Sequence, residues 1–186
     1  MTGTDQDLQR VQRRGRLVIA TIIALFVLVC VALGVFLWQR QQQENRLAEL
    51  TKTGLLAVGL PPLTFEIDEV SALENNRGLV TTYRYADGEP VSQFRLLNLR
   101  VGTGQDPCEV LTRVEPALGD RCEVSGSSLS AVANGPSTIL HAEGQVHAAT
   151  LVVLVGHPAT FDDQTLRAFV DAAELVSIRE LLAQAG

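Results

Sequence analysis

The chain has 186 residues, 46% of them hydrophobic, and a formal net charge of −6. That acidic balance, with no stripe of clustered Lys and Arg interleaved with aromatics, excludes nucleic acid as a partner, since phosphate contacts need concentrated positive charge. Of the 15 basic residues only Lys52 is not Arg, a usage expected of a GC-rich bacterial genome that carries no mechanism.

The first element in chain order is a 22-residue run from Leu17 to Trp38 without a charge. As a helix it rises roughly 33 Å, enough to cross a hydrocarbon core. A cleaved secretory signal has a shorter core followed by small residues, whereas this one ends in Phe36, Leu37 and Trp38. A lipoprotein signal needs a small residue before its cysteine, and Val29 precedes Cys30. The expectation is therefore a permanent anchor at residues 17–38, with Trp38 at the interface. Arg13, Arg14 and Arg16, together with Arg10, flank it on the N-terminal side. Arg40, Arg46 and Lys52 on the other side are diluted by Glu44 and Glu49. This bias keeps residues 1–16 in the cytoplasm as a polar tail without a folding pattern and sends the rest of the chain outside.

Residues 39–60 are rich in helix formers with little apolar support, and read as a helical stalk or linker that ends at Gly59 and the Pro61–Pro62 break. Residues 61–186 have the size of one domain. Strand patterning marks residues 63–70, 79–86, 92–101, 137–143 and 146–156, each bounded by turn residues. In the third of these, apolar parity shifts between Leu96 and Leu97, which reads as a β-bulge. The continuous apolar run from Ala148 to Val155 reads as a central strand covered on both faces. Cys108 and Cys122, an even pair in an exported segment, are expected to form a disulfide between the helical stretch DPCEVLTRVEPALG and the next strand. Asp162 or Asp163 can cap a helix over the Leu166–Ala173 stripe, and Ser177 with Glu180 forms a capping-box pattern for a second short helix. The fold class is α+β: an N-terminal transmembrane helix and stalk, then an antiparallel sheet of about five or six strands packed by one or two helices.

No nucleotide-binding, zinc-protease or nucleophile-elbow motif is present, so no catalytic residue, metal or cofactor is assigned. VGTGQDP (101–107) reads as a turn and SGSS (125–128) as a surface loop. The acidic set Glu66, Asp68 and Glu69 reads as a solvated strand face, with Glu66 and Asp68 on the same side. The remaining constellation is His141, His147 and His157. A hairpin turning on Glu143, Gly144 and Gln145 would set His141 opposite His147, a weak alternative metal or pH-sensing pair. The residues assigned to their face, Ile139, Leu151, Val153 and Val155, cannot coordinate, which favours packing. The expected function is that of a single-pass cytoplasmic-membrane protein whose extracytoplasmic domain binds a protein or cell-envelope partner without catalysis. A small-ligand or metal-binding sensor is the alternative, and an envelope hydrolase is third.

Overall fold

The computed structural model describes the backbone of residues 4–73, 77–134 and 139–185, and the side chains among these apart from 4–24, 92, 93, 120 and 134. The chain forms two compact units, Met1–Asn45 and Arg46–Gly186. The first unit is helical, part of α1 (Thr4–Thr51). From Leu25 onward α1 is long and apolar enough to cross a membrane. Leu25, Phe26, Leu28 and Trp38 are 63%, 69%, 70% and 60% exposed. Consecutive helical positions point in different directions, so this segment is apolar on every side, unlike a helix that lies on a soluble core. The side chains of Arg13, Arg14 and Arg16 lie outside the described residues. The tail read as featureless is helical from Thr4. Its Gln, Leu and Arg residues propagate a helix that the apolar run has already nucleated.

The second unit begins earlier than the sequence implied. Leu50, Thr53, Leu55 and Val58 are buried in it, so much of the stretch assigned to a stalk is part of the folded unit. Its main sheet has seven antiparallel strands in the order β2 (Glu66–Ala72), β3 (Gly78–Arg84), β4 (Pro90–Arg100), β8 (Thr150–Gly156), β7 (Ile139–His147), β6 (Ser128–Asn134), β5 (Cys122–Ser125). A separate antiparallel pair joins β1 (Val58–Leu60) to β9 (Glu174–Val176). The α+β class is as expected, with more strands than the five or six read from the sequence. Ser137 and Thr138, assigned to the start of β7, lie outside the described residues.

Both faces of the sheet are covered. On one, Leu79, Tyr83, Phe94, Leu96, Val152 and Leu154 pack with Leu50, Leu55, Val58 and the helices α3 (Asp163–Asp171) and α4 (Ile178–Gln184). On the other, Leu97, Leu99, Leu129, Ala131, Val153 and Val155 pack with α2 (Pro107–Val114) and a 3₁₀ turn at Pro116–Arg121. β8 is buried along its whole length, as a β-branched, two-sided central strand requires. The same physics corrects the bulge expected in β4. Its register with β8 is continuous from Arg95 to Arg100, and the apparent parity shift arises because Leu96 and Leu97 are both buried, on opposite faces. The register breaks lie elsewhere: between Ile67 and Glu69 in the β2–β3 pairing, and between Thr82 and Arg84 in the β3–β4 pairing, where residues 91–94 of β4 stand against Tyr83 alone, ahead of the point where the bulge was expected. Burial without a partner for its hydroxyl pushes the Tyr83 phenol pKa well above its ordinary value.

Two local features position the ends of the fold. Asn98, fully buried near the C-terminal end of β4, accepts from the Gly59 N–H at 2.6 Å and donates to the Gly59 carbonyl at 3.2 Å, tying β1 onto the sheet. Gly59 lies so close to β8 that a Cβ would fall 2.3 Å from Val152 Cγ2. The Cys108–Cys122 disulfide is formed, bridging α2 to the first residue of β5.

Candidate functional site

The hairpin on which the histidine pair depended is displaced. β7 runs unbroken through Gly144 to His147 and turns at Ala148–Ala149, where His147 opposes Thr150. Ala148 has φ of 54°, a value that normally selects glycine. Gly144 serves another purpose: a Cβ there would lie 3.0 Å from Val153 Cγ2 and 3.1 Å from the Val152 carbonyl oxygen. The glycine that resembled a turn signal permits close strand packing. His141 and His147 therefore share one strand and one face, six residues and roughly 20 Å apart, and cannot share an ion. Their neighbours across β8 are Gly156 and Thr150, while Leu151, Val153 and Val155 belong to the opposite face. His157 lies past β8, where its Nδ1 accepts from the Ala159 N–H at 3.1 Å in a turn. Among the described residues no group of three or more His, Cys, Asp or Glu is placed to hold a metal ion.

What β7 carries instead is a row of polar side chains, His141, Glu143, Gln145 and His147, on alternate residues of the face that α3 covers. His141 Nδ1 meets the Asp163 carboxylate. Glu143, 3% exposed, accepts from Arg167 Nε at 3.0 Å, from Arg167 Nη2 at 3.2 Å and from Ser130 Oγ at 2.9 Å. Asp163 and Arg167 are four residues apart on α3 and so lie on one side of the helix, matched to His141 and Glu143 two apart on the strand. Two polar ties thus fix α3 in register on β7. The Ser130 hydroxyl donates to a carboxylate already held by a guanidinium fork, an arrangement that secures the carboxylate and leaves no free base to activate the hydroxyl.

The acidic set spans the β2 bulge. Glu66 pairs with Arg84 at 3.2 Å, Asp68 is the extra bulge residue, and Glu69 opposes Thr82. Glu66, Asp68 and Glu69 are all exposed while Ile67 and Val70 are buried, so the set forms the solvated side of the strand as expected, and the bulge turns Glu69 to that side as well.

The two loops that read separately as turns meet at one end of the sheet. Residues 101–105 with Pro107, the β5–β6 turn at Gly126–Ser127 and the β7–β8 turn at Ala148–Ala149 together line an open cleft of about 640 Å³. Gly104 and Gly126, with φ of 74° and 64°, make those turns possible. Gln105 Oε1 accepts from the Gly102 N–H at 3.0 Å, closing the first loop on itself. Its lining of Gly, Ala, Ser, Thr, Val, Gln and Pro carries no formal charge. Nothing in the sequence linked residues 101–107 to 125–128, because the strands that bring them together are themselves distant in the chain. Comparison with protein-family models, with curated proteins and with solved structures finds no match for this chain.

Proposed function

We propose that the chain is a single-pass protein of the bacterial cytoplasmic membrane. Its N-terminal tail stays in the cytoplasm, and its α+β domain, held outside, binds a protein or cell-envelope partner without catalysing a reaction. The observation that carries this reading is the pairing of an apolar helix uncovered on every side with a domain clipped by a disulfide. Such a helix needs lipid around it, and a structural disulfide belongs to an oxidising compartment. The arginines before the span supply the orientation. The non-catalytic part of the reading draws on the polar cluster, whose one buried carboxylate is fully engaged in holding α3. The open, uncharged cleft at the sheet end offers a surface for recognition.

Fusion of alkaline phosphatase after Gly186 tests the topology. The fusion is expected to be active, and the uncleaved full-length chain is expected in the membrane fraction. A mature form starting just after Cys30 or near Gln39 would overturn the anchor. Crosslinking in intact cells is expected to capture an envelope component; turnover of a cell-wall or lipid substrate by the purified chain would overturn the non-catalytic reading.

A further inference from the structure

The two edges of the main sheet differ. β2, at one edge, is broken by its bulge and exposes Glu66, Asp68 and Glu69, and charge and irregularity together keep an edge from pairing with another chain. β5, at the other edge, is regular over its four residues and carries one acid, Glu123. Glu123, Val124 and Ser125 are all exposed, Val124 at 42%. The direction of the backbone groups on that edge follows from the register. The Ser127 carbonyl accepts from the Val146 N–H at 2.8 Å, so Ser127 and Leu129 turn their backbone groups toward β7, and the alternate residues Ser128 and Ser130 turn theirs toward β5. Their partners on β5 are Ser125 and Glu123. Val124, between those two, therefore directs its N–H and its carbonyl away from β6, to the side where no further strand pairs. Its side chain shares a face with Leu129 directly opposite it, the face on which α2 packs.

We infer that β5 is the interface with a second copy of this chain: two β5 strands pair antiparallel about a two-fold axis at Val124, which exchanges its N–H and carbonyl bonds with the partner's Val124. The register is self-complementary, as a two-fold contact requires. The two valines cover each other's exposed side chains. Glu123 stands opposite the partner's Ser125, whose hydroxyl can donate to the carboxylate, so no two acids oppose each other. The same operation at β2 would set three acids of each copy along one seam. A four-residue ladder is too small to hold free chains together, since stable interfaces bury roughly 800 Å² per partner. Two copies anchored in one membrane meet at a raised effective concentration, which a short ladder can exploit; that step rests on the single-pass reading proposed above. Val124 also lines the open cleft, so the pairing sets the clefts of two copies side by side.

The test uses the full-length chain in membranes of the cells that express it, with Cys30→Ala to remove the free thiol and Ser125→Cys as the reporter. Across the two-fold the two reporters lie roughly 7–8 Å apart on one face, within reach of a short bismaleimide. A covalent dimer is expected on a reducing gel, and Glu66→Cys, the same reporter placed on β2, is expected to give none. Adding Val124→Lys to the Ser125→Cys chain sets two ammonium groups against each other and is expected to lower the dimer yield about fivefold or more. The Tm of the chain should stay unchanged, because the side chain replaced is exposed. Val124→Pro, which deletes the outward N–H and no bond to β6, is the second variant and is expected to act alike. No dimer from Ser125→Cys, an equal yield from Glu66→Cys, or an undiminished yield in both Val124 variants would overturn the pairing. Pelleting of the same chain with membranes reads the anchor separately: a chain that pellets and does not crosslink defeats the pairing alone, and a dimer in chain that stays soluble defeats the anchor alone.

Discussion

The sheet face bearing Phe94, Leu96, Val152 and Leu154 is covered by segments from both ends of the second unit, Leu50–Leu60 before the sheet and α3, β9 and α4 after it. The opposite face, bearing Leu97, Leu99 and Val153, is covered by one contiguous insert, residues 107–121, between β4 and β5. The first cover buries a large apolar set and is aligned by polar ties: Asn98 to Gly59, Thr150 to Ala57, Glu143 to Arg167 and His141 to Asp163. The second buries little more than Val110, Leu111 and Leu118 from its own side. Its helix is only eight residues long, too short to persist on propensity. The difference explains why the disulfide is where it is. A cover assembled from two chain ends can rely on burial and hydrogen bonds, whereas a short insert benefits most from a covalent closure.

That contrast is most directly broken at the bridge. Replacing Cys108 and Cys122 together by Ser is expected to cost about 3 kcal/mol in the chain-entropy account of a loop this size. The measurement is denaturant unfolding of the full-length chain in detergent, with hydrogen exchange read by segment. Amides of α2 should lose protection before those of α3 do. Equal loss in both helices would mean that the two covers form one cooperative unit and that the contrast is wrong.

The polar ties of the other face offer the next effect. Asn98→Ala removes both bonds to Gly59 and strands its N–H and carbonyl near the sheet, with an expected cost of about 2 kcal/mol. Protection should fall first at β1 and β9 and leave α2 unchanged, the reverse of the cysteine variant. A uniform loss would show that Asn98 supports the whole sheet and not this cover alone.

Legibility in the sequence followed the range of the interactions. The apolar span, the cysteine pair, the Asp162 cap, the Ser177–Glu180 box and the central β8 are each specified by a few neighbouring residues, and all were readable. β1 and β9 are three residues long and exist because Asn98, 39 residues from Gly59, holds one of them in place. β6 packs through Leu129, Ala131 and Ala133, small side chains that carry a weak strand signal. The β7–β8 turn falls on two alanines while Gly144, four residues before the first of them, gives the misleading punctuation. At the candidate site, the Glu143–Arg167 tie spans 24 residues.

The helix caps give the smallest effect and the sharpest control on the cover formed by α3 and α4. Ser177 Oγ accepts from the Glu180 N–H at 3.2 Å and the Glu180 carboxylate accepts from the Ser177 N–H at 2.7 Å; Asp162 accepts from the Thr165 N–H at 2.7 Å. Hydrogen bonds to Thr165 hold the Asp162 carboxyl below its ordinary pKa, and those to Ser177 do the same for Glu180. A carboxylate with a lowered folded-state pKa contributes stability that is complete above its unfolded pKa, near 4, and is lost as pH falls through the lower folded value. Ser177→Ala is expected to cost about 1 kcal/mol at neutral pH. Asp162→Asn keeps a good N-cap but has no carboxylate to titrate. Its melting temperature should lie slightly below that of the parent at pH 7, where the charge favours the helix N-terminus, and the two should converge as the pH is lowered below about 4. Curves that stay parallel through that window would show that the Asp162 charge contributes nothing to holding α3, leaving its position to Leu166, Val170 and the two ties to β7.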